Sequence, residues 1–131
     1  MASETKPKYY SSSKDIWIVD RGELKPKYGA DSKNTWKITS DTIEPKYGAC
    51  SSNRWRFSYS ELTGNGEVFT FNGKEFCPKR GSSRDTWIIE RGEMKPKYSG
   101  SSKDTYVYDS DINPLIVAFL HHVILGIREP K

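Results

Sequence analysis

Apolar residues in this chain recur in pairs two positions apart, and the pairs themselves recur along the sequence. Trp17 with Val19, Trp36 with Ile38, Trp55 with Phe57, Trp87 with Ile89 and Tyr106 with Tyr108 each bracket a single residue. Side chains two apart share one face of a β-strand, so each pair predicts a short strand with its large groups on one side. The bracketed residues are Ile18, Lys37, Arg56, Ile88 and Val107, a mixed set that faces away. A second strand follows within each unit and carries Leu24, Ile43, Phe76 or Met94 two residues before a proline. The same alternation puts Tyr28, Tyr47, Arg80 and Tyr98, two residues after that proline, on the inner face as well.

Five units result, at about 6–25, 26–44, 45–77, 78–95 and 96–110, and together they form a single domain. Their leading rings are 19, 19, 32 and 19 residues apart, and Pro7, Pro26, Pro45, Pro78 and Pro96, each followed by Lys, mark the same units. The third is longer because it contains an insert with Asn65-Gly66 and Asn72-Gly73, both tight-turn signals that predict an additional hairpin. "DRGE" at 20–23 and "ERGE" at 90–93 place Gly where a hairpin turn needs positive φ. Proline cannot donate to a β-ladder, so one in nearly every second strand excludes a long flat sheet. The expected fold is mainly β: an antiparallel meander of about ten to twelve short strands forming a curved sheet or barrel.

The two-residue rhythm stops at "NPLIVAFLHHVILG". Asn113 suits a helix N-cap, Pro114 the first helical position and Gly126 the position just past the end, which predicts a helix over 114–125. Ile116, Phe119, Leu120 and Val123 share one face, with Val117 and Ile124 beside them. Ala118, His121, His122 and Leu125 form a weaker stripe. A helix apolar round most of its circumference needs burial on nearly all sides, and a barrel of ring-bearing strands supplies it. Docking on one face of an open sheet, or insertion into a membrane or partner, are the alternatives. On the enclosed reading Trp17, Trp36, Trp55, Trp87, Tyr106, Phe119 and Leu120 make the core.

Composition narrows the picture. Hydrophobic residues are only 34% of the 131, so the 13% that are aromatic must supply much of the core. The formal charge of +4 tolerates an anionic partner without the density of a nucleic-acid-binding arm. Cys50 and Cys77 are the only cysteines, too few for a secreted disulfide framework or a four-cysteine zinc set, and read as free thiols. With no apolar leader, and an apolar run at 115–125 too short for a bilayer, the expectation is a cytoplasmic protein without a transmembrane segment.

Units reading Trp-x-Ile, then Gly, then "KPKYG" and "SS", closed by a short apolar helix, resemble an uncharacterised bacterial β-repeat family. That resemblance covers about residues 6–127 and implies architecture without an activity. The strands followed by "SDINPLIVAFLHHVILG" are also distantly similar to the tubby-like group, in which a β-barrel wraps a hydrophobic C-terminal helix. Some of that group's members bind phosphoinositide head groups through basic side chains.

Candidate chemistry lies in the lysines. Lys8, Lys27, Lys46, Lys79 and Lys97 are equivalent by repeat, and Lys14, Lys33, Arg84 and Lys103 form a second set three residues before the leading ring. Aligned cations can hold phosphates. The plainer reading is that outward lysines keep strand edges soluble and unpaired, with Asp15, Asp85 and Asp104 partly neutralising the second set. Alternating Trp and Lys also suits a base-stacking platform, but a Trp with a bulky same-face neighbour is how a core is written. His121 and His122 are the only histidines, and adjacent helical residues point about 100° apart, a poor grip for one metal. No acid or nucleophile is spaced to serve them, so no catalytic residue, metal or cofactor is assigned. Serine clusters at the unit junctions fit turn chemistry. The expected role is a non-catalytic binding or accessory module. The alternative is recognition of an anionic ligand, phospholipid head group or nucleic acid, along the lysine ridge. The sequence identifies no partner; an anionic surface and another protein are the candidates.

Overall fold

A computed structural model of the chain describes residues 3–8, 15–29, 34–48, 53–79, 86–97, 105–109 and 111–125. It contains twelve strands: β1 (Ser3–Pro7), β2 (Trp17–Asp20), β3 (Glu23–Pro26), β4 (Trp36–Ile38), β5 (Thr42–Pro45), β6 (Trp55–Phe57), β7 (Glu61–Gly64), β8 (Glu67–Phe71), β9 (Glu75–Pro78), β10 (Trp87–Glu90), β11 (Glu93–Pro96) and β12 (Tyr106–Tyr108). Each pairs with its chain neighbours in an antiparallel meander, and β1 pairs with β12 to close the barrel. The expected mainly β meander around one C-terminal helix is the fold observed.

The register explains the repeat. Across one side of each hairpin a ring faces a proline: Trp17 opposite Pro26, Trp36 opposite Pro45, Phe69 opposite Pro78 and Trp87 opposite Pro96. Tyr106 on β12 faces Pro7 on β1 in the same way, so the two chain ends together make a hairpin-like pair. In the β6–β7 hairpin Gly64 takes the proline's place against Trp55. The strands therefore group into six equivalent pairs rather than five units and an insert. The residue after each proline donates its N–H to the carbonyl before the ring, as in Lys27 to Ile16 at 2.9 Å and Lys97 to Thr86 at 3.0 Å. On the other side, pairing stops two residues short of the proline, at Leu24 opposite Trp36 or Met94 opposite Tyr106. Proline's missing donor thus falls where the neighbouring strand has ended.

Turns at one end and links at the other set the two rims. Arg21-Gly22, Asn65-Gly66 and Arg91-Gly92 all have positive φ at both residues, the primed turn that matches strand twist. The first and third sit at what we term the turn end; Asn65-Gly66 replaces one of the long connections at the opposite, link end.

Inside the barrel runs the apolar segment. Helix α1 (Pro114–Phe119) is capped by Asn113, whose side chain accepts from the Leu115 N–H at 2.9 Å. The expected α-helix to residue 125 is corrected at its second half, because Leu120–Ile124 forms a π-helical turn in which the Leu125 N–H reaches the Leu120 carbonyl. Residues 115–122 are buried, so Ala118, His121 and His122 of the weaker stripe are as enclosed as the strong face, whereas Leu125 of that stripe is exposed. Phe119 meets Trp36 and Trp55 edge-on, with centroids 5.0 and 5.9 Å apart. The core residues Trp17, Trp55, Trp87, Tyr106, Phe119 and Leu120 are buried as expected, whereas Trp36 is half-buried and packs against them. Burying each such side chain is worth roughly 1.5–3 kcal/mol before the entropy of ordering it is subtracted. Among the described residues, no helix is long and apolar enough to cross a membrane.

Candidate functional site

The repeat delivers equivalent side chains to equivalent places on the barrel wall. Lys8, Lys27, Lys46, Lys79 and Lys97 each follow a strand-ending proline, so all stand at the link end. Each reaches over one intervening strand to a glutamate: Lys27 to Glu4 at 2.6 Å, Lys46 to Glu23 at 2.8 Å, Lys79 to Glu61 at 3.8 Å and Lys97 to Glu75 at 2.9 Å. Lys8 reaches Glu93 at 2.6 Å and carries the series across the barrel closure. In the β6–β7 pair, which has no such lysine, Arg54 Nε meets Glu44 at 2.9 Å. Six cations and six glutamates from alternate strands thus girdle the wall. Hydrogen bonds from the lysines hold the Glu4, Glu23 and Glu93 carboxyls below their ordinary value. The same bonds raise Lys27 and Lys46. Exposed pairs of this kind add little to stability, so their larger consequence is electrostatic: they neutralise the ridge locally.

The second periodic set, Lys14, Lys33, Arg84 and Lys103, lies outside the described residues, as do Arg80, Tyr98 and Cys50. By sequence, the five long links (8–16, 27–35, 46–54, 79–86 and 97–105) carry eleven basic and four acidic residues, a net of +7 in a chain of +4. The rest of the chain is therefore net −3, so by sequence the charge excess belongs to the links.

The tyrosines beside those lysines overturn an expectation. Alternation places Tyr28 and Tyr47 on the inner face, yet they are 59% and 61% exposed. The strands end at Pro26 and Pro45 and the chain bends directly afterwards, so the period of two no longer applies. Lys27 Nζ lies 5.6 Å from the Tyr28 ring centroid and Lys46 Nζ 5.7 Å from that of Tyr47, within cation–π range. The "PKYG" spelling, with a strand-stopping proline before the tyrosine, was the signal that could have shown this.

The histidines make a contact that the sequence reading does not address. His121 Nδ1 and His122 Nδ1 are 3.2 Å apart inside the barrel. Rings from the wall surround them: Trp87 and Tyr106 meet His121 at 4.4 and 5.0 Å, while Phe69, Phe76 and Trp87 meet His122 at 5.1–5.5 Å. Both lie in the π-helical turn, whose winding differs from that of a straight α-helix, and their rings are tilted by 39° with centroids 5.2 Å apart. Among the described residues, no group of three or more His, Cys, Asp and Glu is placed to hold a metal ion.

Comparison with protein-family models, with curated proteins and with solved structures found no match for this chain.

Proposed function

We propose that this chain is a non-catalytic binding module whose link-end rim takes an anionic ligand, single-stranded nucleic acid before a phospholipid surface. The observation that carries the reading is the pair of repeat-equivalent tyrosines, Tyr28 and Tyr47, standing in solvent beside Lys27 and Lys46. Exposed rings beside ammonium groups offer a stacking face and a phosphate contact together, which is how sequence-tolerant single-strand binders work. The girdle lysines are already partnered by glutamates, so the long-range attraction comes from the excess cations of the links. The tubby-like resemblance, with its phosphoinositide-binding members, points toward phosphate as well.

The test is fluorescence anisotropy with a labelled oligothymidylate of roughly 15 nucleotides, titrated at several NaCl concentrations, beside vesicles of anionic and neutral phospholipid. The expected result is saturable, salt-sensitive binding of the oligonucleotide. Joint Tyr28→Ser and Tyr47→Ser substitution weakens it by about tenfold or more, because each lost stack is worth about 1–3 kcal/mol. Stability should change by less than about 0.5 kcal/mol, since both rings are exposed. Binding confined to anionic vesicles reassigns the rim to lipid head groups. No salt-sensitive binding to either makes the rim a solubility device and ends the proposal.

A further inference from the structure

The turn end of the barrel carries a second feature, of opposite chemistry. A cleft of about 680 Å³ opens there beside the point where the chain enters the barrel as α1. Its floor is apolar: Phe57 and Phe71 end β6 and β8, and Leu115 opens the first turn of the helix. Phe71 and Leu115, at 8% and 1% exposure, belong to the packed core and back the floor, while half-buried Phe57 and Pro114 present its open apolar surface. Its lip carries two carboxylates, Asp41 and Asp111, and among the described residues no Lys or Arg lines it. The walls are tied in place. The Phe57 N–H donates to the Asp41 carbonyl at 2.9 Å, and the Ser3 hydroxyl donates to Asp111 Oδ2 at 2.5 Å, joining β1 to the helix entry. A carboxylate offers about four acceptor positions, so one bond from Ser3 leaves Asp111 with capacity to bind.

Apolar floor and acidic lip together select a ligand class. An anionic amphiphile is repelled by both carboxylates, and a neutral apolar molecule leaves them without recompense for lost water. We infer that this cleft binds an organic ammonium ligand, its flat or branched apolar body against Phe57 and Pro114 and its ammonium between Asp41 and Asp111. Tyr59 completes the arrangement. Its side chain lines the cleft yet is fully exposed, so its ring gains burial only when an occupant gives it something to cover, and a cation is a favourable one. This site is separate from the basic rim in position and in sign, and neither reading depends on the other.

The probe is phenethylamine, compared with its alcohol analogue and with hydrocinnamate, each titrated into the full chain while backbone amide shifts are followed by NMR. Phenethylamine should give saturable shifts at Ser40, Asp41, Ser58, Tyr59 and Asn113, with the alcohol at least about tenfold weaker and the carboxylate without effect. Asp41→Asn and Asp111→Asn should each weaken the amine by a similar factor while leaving the alcohol unchanged. Tyr59→Ala, at a fully exposed position that cannot unfold the barrel, should weaken it several-fold. Equal binding of amine and alcohol overturns the ammonium assignment. Shifts absent from the cleft, or confined to the link end, overturn the site.

Discussion

The indole of Trp55 lies so close to the backbone of Gly64 that a Cβ at residue 64 would fall among the ring's atoms. Elsewhere in the barrel the equivalent ring faces a proline, as Trp17 faces Pro26 and Trp87 faces Pro96. The β6–β7 pair has replaced one device with another: the ring covers bare backbone instead of packing on a pyrrolidine. Gly64 sits at ordinary negative φ, so its requirement is steric and not conformational.

It follows that Gly64→Ala should destabilise the barrel by about 1–3 kcal/mol, the usual consequence of overpacking, although alanine is ordinarily the better strand residue. Trp55→Phe made together with it should cost less than the two single changes added, because a smaller ring withdraws from the new methyl. Urea melts of the three variants check this. A neutral Gly64→Ala would show that the indole is free to move aside.

The two buried imidazoles make a second prediction. With Nδ1 atoms 3.2 Å apart, one ring must donate and the other accept. Replacing His121 with Leu removes that bond and leaves the His122 Nδ1 without it inside the barrel, an expected loss of about 1–3 kcal/mol. Replacing both with Leu removes donor and acceptor together, so the double variant should lose less than the sum of the singles. Strict additivity in chemical denaturation would mean that each ring contributes by packing alone.

Much of the barrel was legible because its periodic signal is strong. Rings two residues from an apolar partner, and a proline nine residues after Trp17, Trp36 and Trp87, fix strand, face and pairing at once. The sixth pair was hidden for two reasons. Phe69 stands where a Trp was sought, and the two-residue turn at Asn65-Gly66 replaces a long link, so the unit reads as an insert. Yet Phe69 and Pro78 keep the same nine-residue interval. Closure of β1 on β12 joins residues about a hundred apart and leaves no local trace. Alternation fails at the rim tyrosines because the strands end at the proline before them. The histidine contact is hidden from a straight-helix wheel because both residues lie in a π-helical turn. The cleft is assembled from turns and a helix entry distant in sequence, and no motif announces it.

The girdle of ion pairs gives the fold a pH signature whose direction is set by the lysine hydrogen bonds. Glu4, Glu23 and Glu93 are held below their ordinary value of 4.5, so they bind fewer protons folded than unfolded in that range. Their contribution is present above about 4.5 and is lost as pH falls through the lowered folded values. Lys27 and Lys46 are held above their ordinary 10.5, so their contribution is present below that value and is lost as pH rises through the raised one. Between the two limbs these groups leave stability flat. Tm should therefore hold from about pH 9 down to about pH 5 and then fall toward about pH 3, with a shallower fall in 1 M NaCl, where the screening length shrinks to about 3 Å. Glu4→Gln should soften the acid limb by removing one titrating partner. A Tm that is constant to about pH 3, or an acid limb indifferent to salt, would show that the girdle pairs do not hold together in solution.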